Sequence, residues 1–480
     1  MIWCAYSYIA IPILLFFWGW LAFGYALFGT VVLAYGTYLA MRSHKDEGNA
    51  LIQQRSWPYL LGIAAVVIIW VVLSGQGGFV YQNTDWHWRN AIFRDLMTHS
   101  WPVYYPSTDS ALVYYIAHWL PAAFIGKFLG WQGGNIALFT WTLLGCLLTC
   151  YFISRYFRTV SLLLILLFIL FSGLDIVGTL VRYLLVHSTG LDNSLHLEWW
   201  ASYFQFSSMS TQLFWVFNQT VVPWLAFFLL MNQTDKKSLF FIAAVTIPFG
   251  PFPFLGLFLI AAFMAVQHIF TEKNRLHAFR TLLTVQNVLP PLLILIVFQL
   301  YYKSNSAVTN SDLRWHLLDM YPVWLIWYLL FCLLEFGVLA LLLRKRYRGD
   351  WMFVYLIFLL LVIPMFGIGG GSDLCMRASI PPLCLLFLYT GRYLLELAQA
   401  KQLTSRMGIA LHVVLILGSI TPLSEIVRPI RFAIEKHKIS QPADEIGTYE
   451  GKDPTRLANF LSLRPQDSAF YRMLEKALIP

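Results

Sequence analysis

Asp85 with Arg89, and Asp373 with Arg377, repeat one spacing, an acid followed four positions later by an arginine. On a helix that spacing puts both side chains on one face. An acid held beside a cation stays ionised, which suits a general base or a metal ligand. A guanidinium so held presents a fork of donors to a phosphate. The first pair lies in Gly77-Gly78-Phe79-Val80-Tyr81-Gln82-Asn83-Thr84-Asp85-Trp86-His87-Trp88-Arg89-Asn90. There Asn83 or Thr84 can cap a helix running through Leu96. The competing reading is an N-terminal acid that favours the helix dipole and takes Arg89 as its partner. Trp86 and Trp88, with His87 between them, can offer ring faces to a sugar or anchor the chain at a membrane interface.

The second pair follows a glycine run, Gly367-Ile368-Gly369-Gly370-Gly371-Ser372-Asp373. It lacks the spacing of a nucleotide-binding P-loop. A turn that sets Asp373 and Arg377 one helical turn apart would present the guanidinium to a lipid-linked phosphate, whereas a snorkelling arginine is the plainer account. Between the pairs lies a stretch rich in amides, hydroxyls and aromatics, from Leu191 to Trp200 and on to Gln205, Asn218 and Gln219. Sugars offer hydroxyls at the rim and apolar C–H faces, so Glu198, Gln205 and Asn218 are candidate sugar contacts. His196 and Glu198 are two apart, off a common helical face, and no metal site is assigned to them. Asp175, Arg182, Glu335, Arg392 and His412 are ionisable groups inside or near apolar runs. Of these, Glu335 must be paired, protonated or turned to a cavity.

These residues are conspicuous because charge is scarce. Of 480 residues, 59% are hydrophobic, 17% aromatic and only 12% charged. Soluble proteins average roughly 45–50% apolar and about 25% charged. Apolar runs return from the first residues to about residue 424, without a polar linker. Soluble globular, disordered and fibrous classes are excluded. So is a disulfide scaffold, since the six cysteines are scattered and form no C-x-x-C pair. The net charge of +9 sits in short clusters between apolar runs and forms no basic face for nucleic acid. The expected fold is an all-α polytopic bundle.

A crossing takes about 20 mostly apolar residues. Candidate spans are 3–20, 21–41, 57–74, 133–154, 160–181, 211–231, 238–250, 252–270, 281–301, 321–343, 351–368, 377–397 and 407–424. That is about thirteen, within a range of roughly 11–14. The stretch 111–131 contains His118, Pro121 and Lys127 and reads as interfacial or re-entrant. So placed, it leaves Arg42, Lys45 and Arg55, Arg155/Arg158, Lys236/Lys237, Lys273/Arg275/Arg280, Arg344–Arg348 and Lys401/Arg406 all on the cytoplasmic side, as the positive-inside rule requires. The N-terminus is then inside, and loops 75–132, 183–210, 302–320 and 367–377 face outward. The residues 1–424 form the membrane domain, with interfacial helices in the first large outside loop. Residues 425–480 form a polar, partly helical tail, also outside. The proline-rich stretch 248–253 can instead be a re-entrant hairpin.

An acid on the first large outside loop, followed by an interfacial helix, resembles the GT-C class of integral-membrane glycosyltransferases. The stretches QNTDWHWRN and GGGSDLCMRASIPPL also resemble uncharacterised bacterial membrane proteins grouped with that class. The resemblance implies an enzyme of the cytoplasmic membrane that moves a sugar from a polyprenyl-phosphate-type donor to an extracytoplasmic glycan, lipid or protein acceptor. It also implies that Asp85 is the catalytic acid residue and that Arg377 meets the donor phosphate. Arg89, Trp86, Trp88, His87, Asp373, Glu198, Gln205 and Asn218 would then complete the binding surface, in aromatic loops at 86–105 and 199–217. The class places its acidic loop after the first span, whereas here it follows the third. Its paired acids are absent, so no motif specifies a divalent cation and the cofactor stays unassigned. The alternative is a transporter or flippase of a lipid-linked saccharide, suggested by breaks at Pro248–Pro253, Pro290-Pro291 and Gly367–Gly371, since discontinuous helices build midplane sites.

Overall fold

The computed structural model describes residues 1–44, 55–186, 196–307, 313–315, 322–368, 371–436, 445–446 and 457–473. The chain is an all-α membrane protein with little sheet. Among the described residues seven helices are long and apolar enough to cross a bilayer, and a helix pair bent by 104°, Met209–Gln219 with Val221–Met231, forms either a broken span or a re-entrant loop. Shorter apolar helices cover Trp57–Leu73, Leu239–Phe249 and Trp351–Met365. Helix starts follow local chemistry. Proline sits in the first turn at Pro58, Pro121 and Pro251, where a missing N–H leaves no bond unmade. Ser208 caps its helix by accepting from the Thr211 N–H at 3.1 Å, and Asp350 accepts from the Met352 N–H at 2.9 Å.

Several apolar runs do not form one straight helix each. The 160–181 run divides into Leu162–Ile169 and Asp175–Val186. Between them Ser172 donates to Asp175 Oδ2 at 2.9 Å, and Gly173 lies against Glu335. Large side chains face outward all round the bundle. Phe23 is 71% exposed and Leu163 is 73% exposed. A soluble surface rarely shows so broad an apolar belt, whereas a bilayer solvates it.

The helix Leu120–Phe157 holds one break, at Gly130, with φ of 68°. Glycine reaches that left-handed conformation at no steric cost. The chain folds back there, so that a Cβ on Gly126 would lie 3.2 Å from the Gly134 Cα and collide with the Met97 Sδ. The first limb, 120–129, is about 15 Å long, half a bilayer core. It rests on the loop before it, with the Lys127 ammonium donating to the His99 carbonyl and lying over the Trp101 ring.

Short strands tie the loops at one end of the bundle. Strands β1 (Tyr104–Tyr105), β2 (Ser110–Leu112) and β5 (Leu461–Leu463) form an antiparallel sheet in the order β1-β2-β5, with Ala111 opposite Ser462. Strands β3 (Leu313–Trp315) and β4 (Phe366–Ile368) pair with Arg314 opposite Gly367. The C-terminal tail therefore packs on the loop that carries Asp85. Asp109 holds both ends of the first sheet, accepting from Tyr104 Oη at 2.8 Å and from Gln466 Nε2 at 3.1 Å. Asp95 is fully buried and accepts from Tyr105 Oη at 2.6 Å and from the Ile446 N–H at 2.9 Å. Burial pushes its carboxyl up from the ordinary value, against those hydrogen bonds. The apolar run that ends near residue 424 continues as helix to Lys436, so the tail begins later than hydropathy alone suggests.

Gly126→Leu should block the fold-back and cost about 1–3 kcal/mol, as overpacking does. Thermal unfolding in detergent should show a lowered midpoint. Gly24→Ala, with nothing within 4 Å of its Cβ, should leave the midpoint unchanged.

Candidate functional site

Three glycines with left-handed backbone, Gly75 (φ 87°), Gly77 (φ 81°) and Gly78 (φ 69°), turn the chain sharply after the helix Trp57–Leu73. Gln82 fixes the turn, donating to the Gly75 carbonyl at 2.9 Å and accepting from Asn90 Nδ2 at 2.8 Å. Asp85 then takes the N-cap position of the helix Trp86–Thr98. Its carboxylate caps no backbone N–H there. It reaches instead to Arg89, Oδ2 to Nη2 at 3.0 Å. The Asn83 carbonyl oxygen of the side chain accepts from the Asp85 N–H at 3.1 Å. Both readings of Asp85 therefore share one geometry, an acid at a helix N-terminus paired with an arginine.

The pair is asymmetric. The Asp85 side chain is 49% exposed and that of Arg89 is 9% exposed. Arg89 is buried against the break between Met209–Val216 and Val221–Met231. Its Nη1 donates to the Phe214 carbonyl at 3.4 Å, and Asn83 Nδ2 donates to the same oxygen at 3.0 Å. The guanidinium also lies 5.5 Å from the Phe217 ring centre and 5.9 Å from that of Trp86. Burial pulls its affinity for the proton down, and Asp85 pulls it back up.

The second pair repeats this pattern. On the helix Asp373–Ala378, Arg377 Nη2 meets Asp373 Oδ1 at 3.0 Å, with the arginine 13% and the acid 53% exposed. The fold brings the two pairs within electrostatic range of each other. Arg89 and Arg377 feel each other's charge, and Asp85 acts on both. Tyr114 lies in the field of all four charges. Burial pushes its hydroxyl up from the ordinary phenol value, and Arg377 and Arg89 oppose that shift. Tyr115 lies in the field of Arg377 as well, and its carbonyl accepts from Asn218 Nδ2 at 3.3 Å. The Nε–H of Arg377 is buried and makes no hydrogen bond among the described residues. A buried donor of that kind is a cost that a bound acceptor would remove.

An aromatic arc borders the two pairs. Trp88 stacks on Phe460 at 5.4 Å, Phe460 meets Tyr114 at 4.9 Å, Tyr114 meets Tyr115 at 4.8 Å, and Tyr115 meets Tyr302 at 5.3 Å. Beyond it, Tyr302 Oη donates to the Ile247 carbonyl at 3.1 Å. Ile247 lines an apolar groove of about 520 Å³ that includes Phe254, Phe258, Val288 and Leu292.

Several residues chosen by type do other work. Trp86 is buried, stacked on Phe217 at 5.2 Å, and so presents no ring face to a ligand. Glu198 is buried and accepts from the Ser208 N–H at 2.8 Å and from Gln205 Nε2 at 2.9 Å. Its carboxylate is spent on the start of the helix Met209–Val216. Gln205 also accepts from Ser372 Oγ at 3.3 Å, and its carbonyl accepts from Cys375 Sγ at 3.3 Å. It positions the segment that carries Asp373 and Arg377. Asn218 braces Tyr115, while His87 is exposed beside Trp88. His196 Nδ1 lies 3.0 Å from Glu425 Oε1, buried between helices. Glu335 stands on a π-helical turn, Leu333–Gly337, and accepts from Trp200 Nε1 at 3.1 Å. The positions 191–194 and 369–370 lie outside the described residues.

Tyr114, Tyr115, Tyr302 and Phe460 are missing from the sequence-based site. The Tyr114-Tyr115 doublet was the available signal, obscured because it opens the stretch read as an interfacial helix. Among the described residues, no three His, Cys, Asp or Glu side chains are grouped to hold a metal ion. Compared with protein-family models, curated proteins and solved structures, the chain matches none.

Arg89→Met should destabilise the fold by about 2–3 kcal/mol, because it strips a charge-assisted bond from a carbonyl inside the protein. Asp85→Asn should cost less than about 1 kcal/mol, since its carboxylate is half in solvent. Chemical unfolding of the two variants in mixed micelles checks the order.

Proposed function

We propose that the protein is a glycosyltransferase of the GT-C kind, moving a sugar from a polyprenyl-phosphate-type donor to an acceptor outside the cytoplasmic membrane. The observation that carries this reading is the meeting of the Asp85–Arg89 and Asp373–Arg377 pairs around Tyr114. In each pair the guanidinium is withdrawn and the carboxylate stands at the rim. In this mechanism Asp85 takes the proton of the acceptor hydroxyl as it attacks the sugar's anomeric carbon. The bond from that carbon to the phosphate oxygen breaks, and its electron pair leaves with the phosphate. Arg377, with its spare Nε–H, stabilises the departing charge, and such donors act most strongly where water is excluded. Arg89 positions Asp85. Trp88 and Phe460 border the sugar, and the apolar groove beside Tyr302 takes the first prenyl units. The reading carries a topology of about thirteen crossings with the N-terminus inside. The basic clusters at helix ends and the tail's packing on the Asp85 loop support it.

A transporter of a lipid-linked saccharide is the second reading, favoured by the 104° break in the helix pair around Asn218 and Gln219. The Gln219 amide is buried there without a hydrogen bond among the described residues, as at the interrupted helices of transporters. One reconstitution separates the two. Purified protein in vesicles receives a series of polyprenyl-phosphate sugars, and both released carrier and the donor's side of the bilayer are followed. Transfer predicts carrier release that drops about a hundredfold or more in Asp85→Asn and in Arg377→Gln. Full release by Asp85→Asn would overturn the catalytic role. Movement of intact donor across the bilayer without release would favour transport.

A further inference from the structure

Two interrupted helices touch where the Leu174 N–H donates to the Leu334 carbonyl at 3.1 Å. Leu174 lies in the unwound link between Leu162–Ile169 and Asp175–Val186. Leu334 lies in the π-helical turn Leu333–Gly337, inside the span Trp324–Leu343, and such turns frequently mark functional sites. The next residue on each side is an acid. Asp175 and Glu335 are 1% and 4% exposed, and their carboxyl groups meet. Ser172 donates to Asp175 Oδ2 at 2.9 Å, and Trp200 Nε1 donates to Glu335 Oε1 at 3.1 Å. Glu335 Oε2 receives no donor among the described residues. The Thr421 hydroxyl, buried on the helix Arg406–Lys436, faces Asp175 and makes no hydrogen bond among the described residues.

Two carboxyl groups in contact at that depth call for a positive charge between them. No basic side chain supplies it. Glu198, whose field reaches both, adds another acid. Cys332 and Cys375 are the thiols in the field of Glu335. Arg182, on the helix of Asp175, is spent on the Trp199 and Trp200 carbonyls at 3.1 and 2.7 Å. Arg428 and His196 pair with Glu425, at 2.8 and 3.0 Å. Among the described residues Asp175, Glu198 and Glu335 are in no ion pair.

Oxygens collect at the same point. The Ser172 and Gly173 carbonyls lie against Gly418, where a Cβ would stand 2.9 and 3.0 Å from them. Beside Glu335 a cavity of about 10 Å³ is lined by Ser172, Gly173 and Ser207. That is roughly the room of one water or one small dehydrated ion. Carboxylate, carbonyl and hydroxyl oxygens suit a hard cation. Unwound carbonyls and the C-terminal end of a half-helix coordinate sodium in membrane proteins with broken helices. A proton shared by the two acids would satisfy one oxygen and leave the others with their lone pairs turned inward.

We infer that Asp175 and Glu335, with the oxygens of Ser172, Gly173 and Thr421, bind one sodium ion inside the bundle. The site is separate from the Asp85–Arg89 and Asp373–Arg377 pairs and stands whether the protein transfers or transports a saccharide. The full chain in discs of phosphatidylcholine is brought to a sodium-free choline buffer. Sodium chloride is then titrated in at constant ionic strength and pH, with potassium chloride in parallel. Thermal unfolding and hydrogen exchange over residues 333–337 read binding, because an ion held only by the folded state raises the midpoint. Sodium should raise the midpoint and slow that exchange, and potassium should need at least about tenfold more to match it. Glu335→Gln should weaken sodium affinity at least about tenfold. Thr421→Val, which leaves both carboxyl groups in place, should weaken it about threefold and is the milder variant. A midpoint that answers to pH and not to sodium would assign a shared proton and overturn the inference. Equal responses to sodium and potassium, or a sodium response undiminished in both variants, would overturn it as well.

Discussion

A helix that breaks inside a membrane protein leaves carbonyls that no water can reach, and something must donate to them. Around Phe217 that donor is the Arg89 guanidinium, assisted by Asn83 at the Phe214 carbonyl and by Thr220 at the Val216 carbonyl. Much else follows from this requirement. Arg89 has to be buried, so its helix has to lie flat over the break. Trp86 and Phe217 close around the cation, and Asp85, one turn earlier, is left as its solvent-side counterion. The exposed acid is where it is because the cation beneath it is committed to the backbone.

The second pair obeys the same geometry on a much shorter helix. Its support comes from a different direction, through Gln205, Ser372 and Cys375, and behind these through Glu198. Two neutral pairs whose cations face inward and whose anions face outward make a polarised surface without net charge. Tyr114 and Tyr115, in ring contact with each other, lie in the field of these charges.

Local periodicity made both Asp–Arg pairs legible in the sequence, since a spacing of four has one meaning on a helix. Their convergence was not legible, because no local rule relates residue 89 to residue 377. Trp86, Glu198 and Gln205 show the complementary limit. Their types announce what they can contact, while burial decides what they do contact, and burial depends on elements far away in the chain. The strand Leu461–Leu463 offered no pattern at all, since three residues cannot display an alternation. The helical membrane class, by contrast, was plain from composition, because an apolar excess of this size has no other stable solvent.

The pairing of β5 with β2 has a consequence for the order in which the molecule comes together. The first sheet joins a segment near Ala111 to one about 350 residues later, near Ser462. Such a contact closes a very long loop, and it waits until the strand near Ser462 has left the ribosome. Phe460 arrives with that strand and supplies one ring of the aromatic arc. A half-synthesised chain thus holds Asp85 and Arg89 but lacks the wall beside them. Assembly of this face is a late event, and a nascent chain carries it unfinished until the strand with Phe460 emerges.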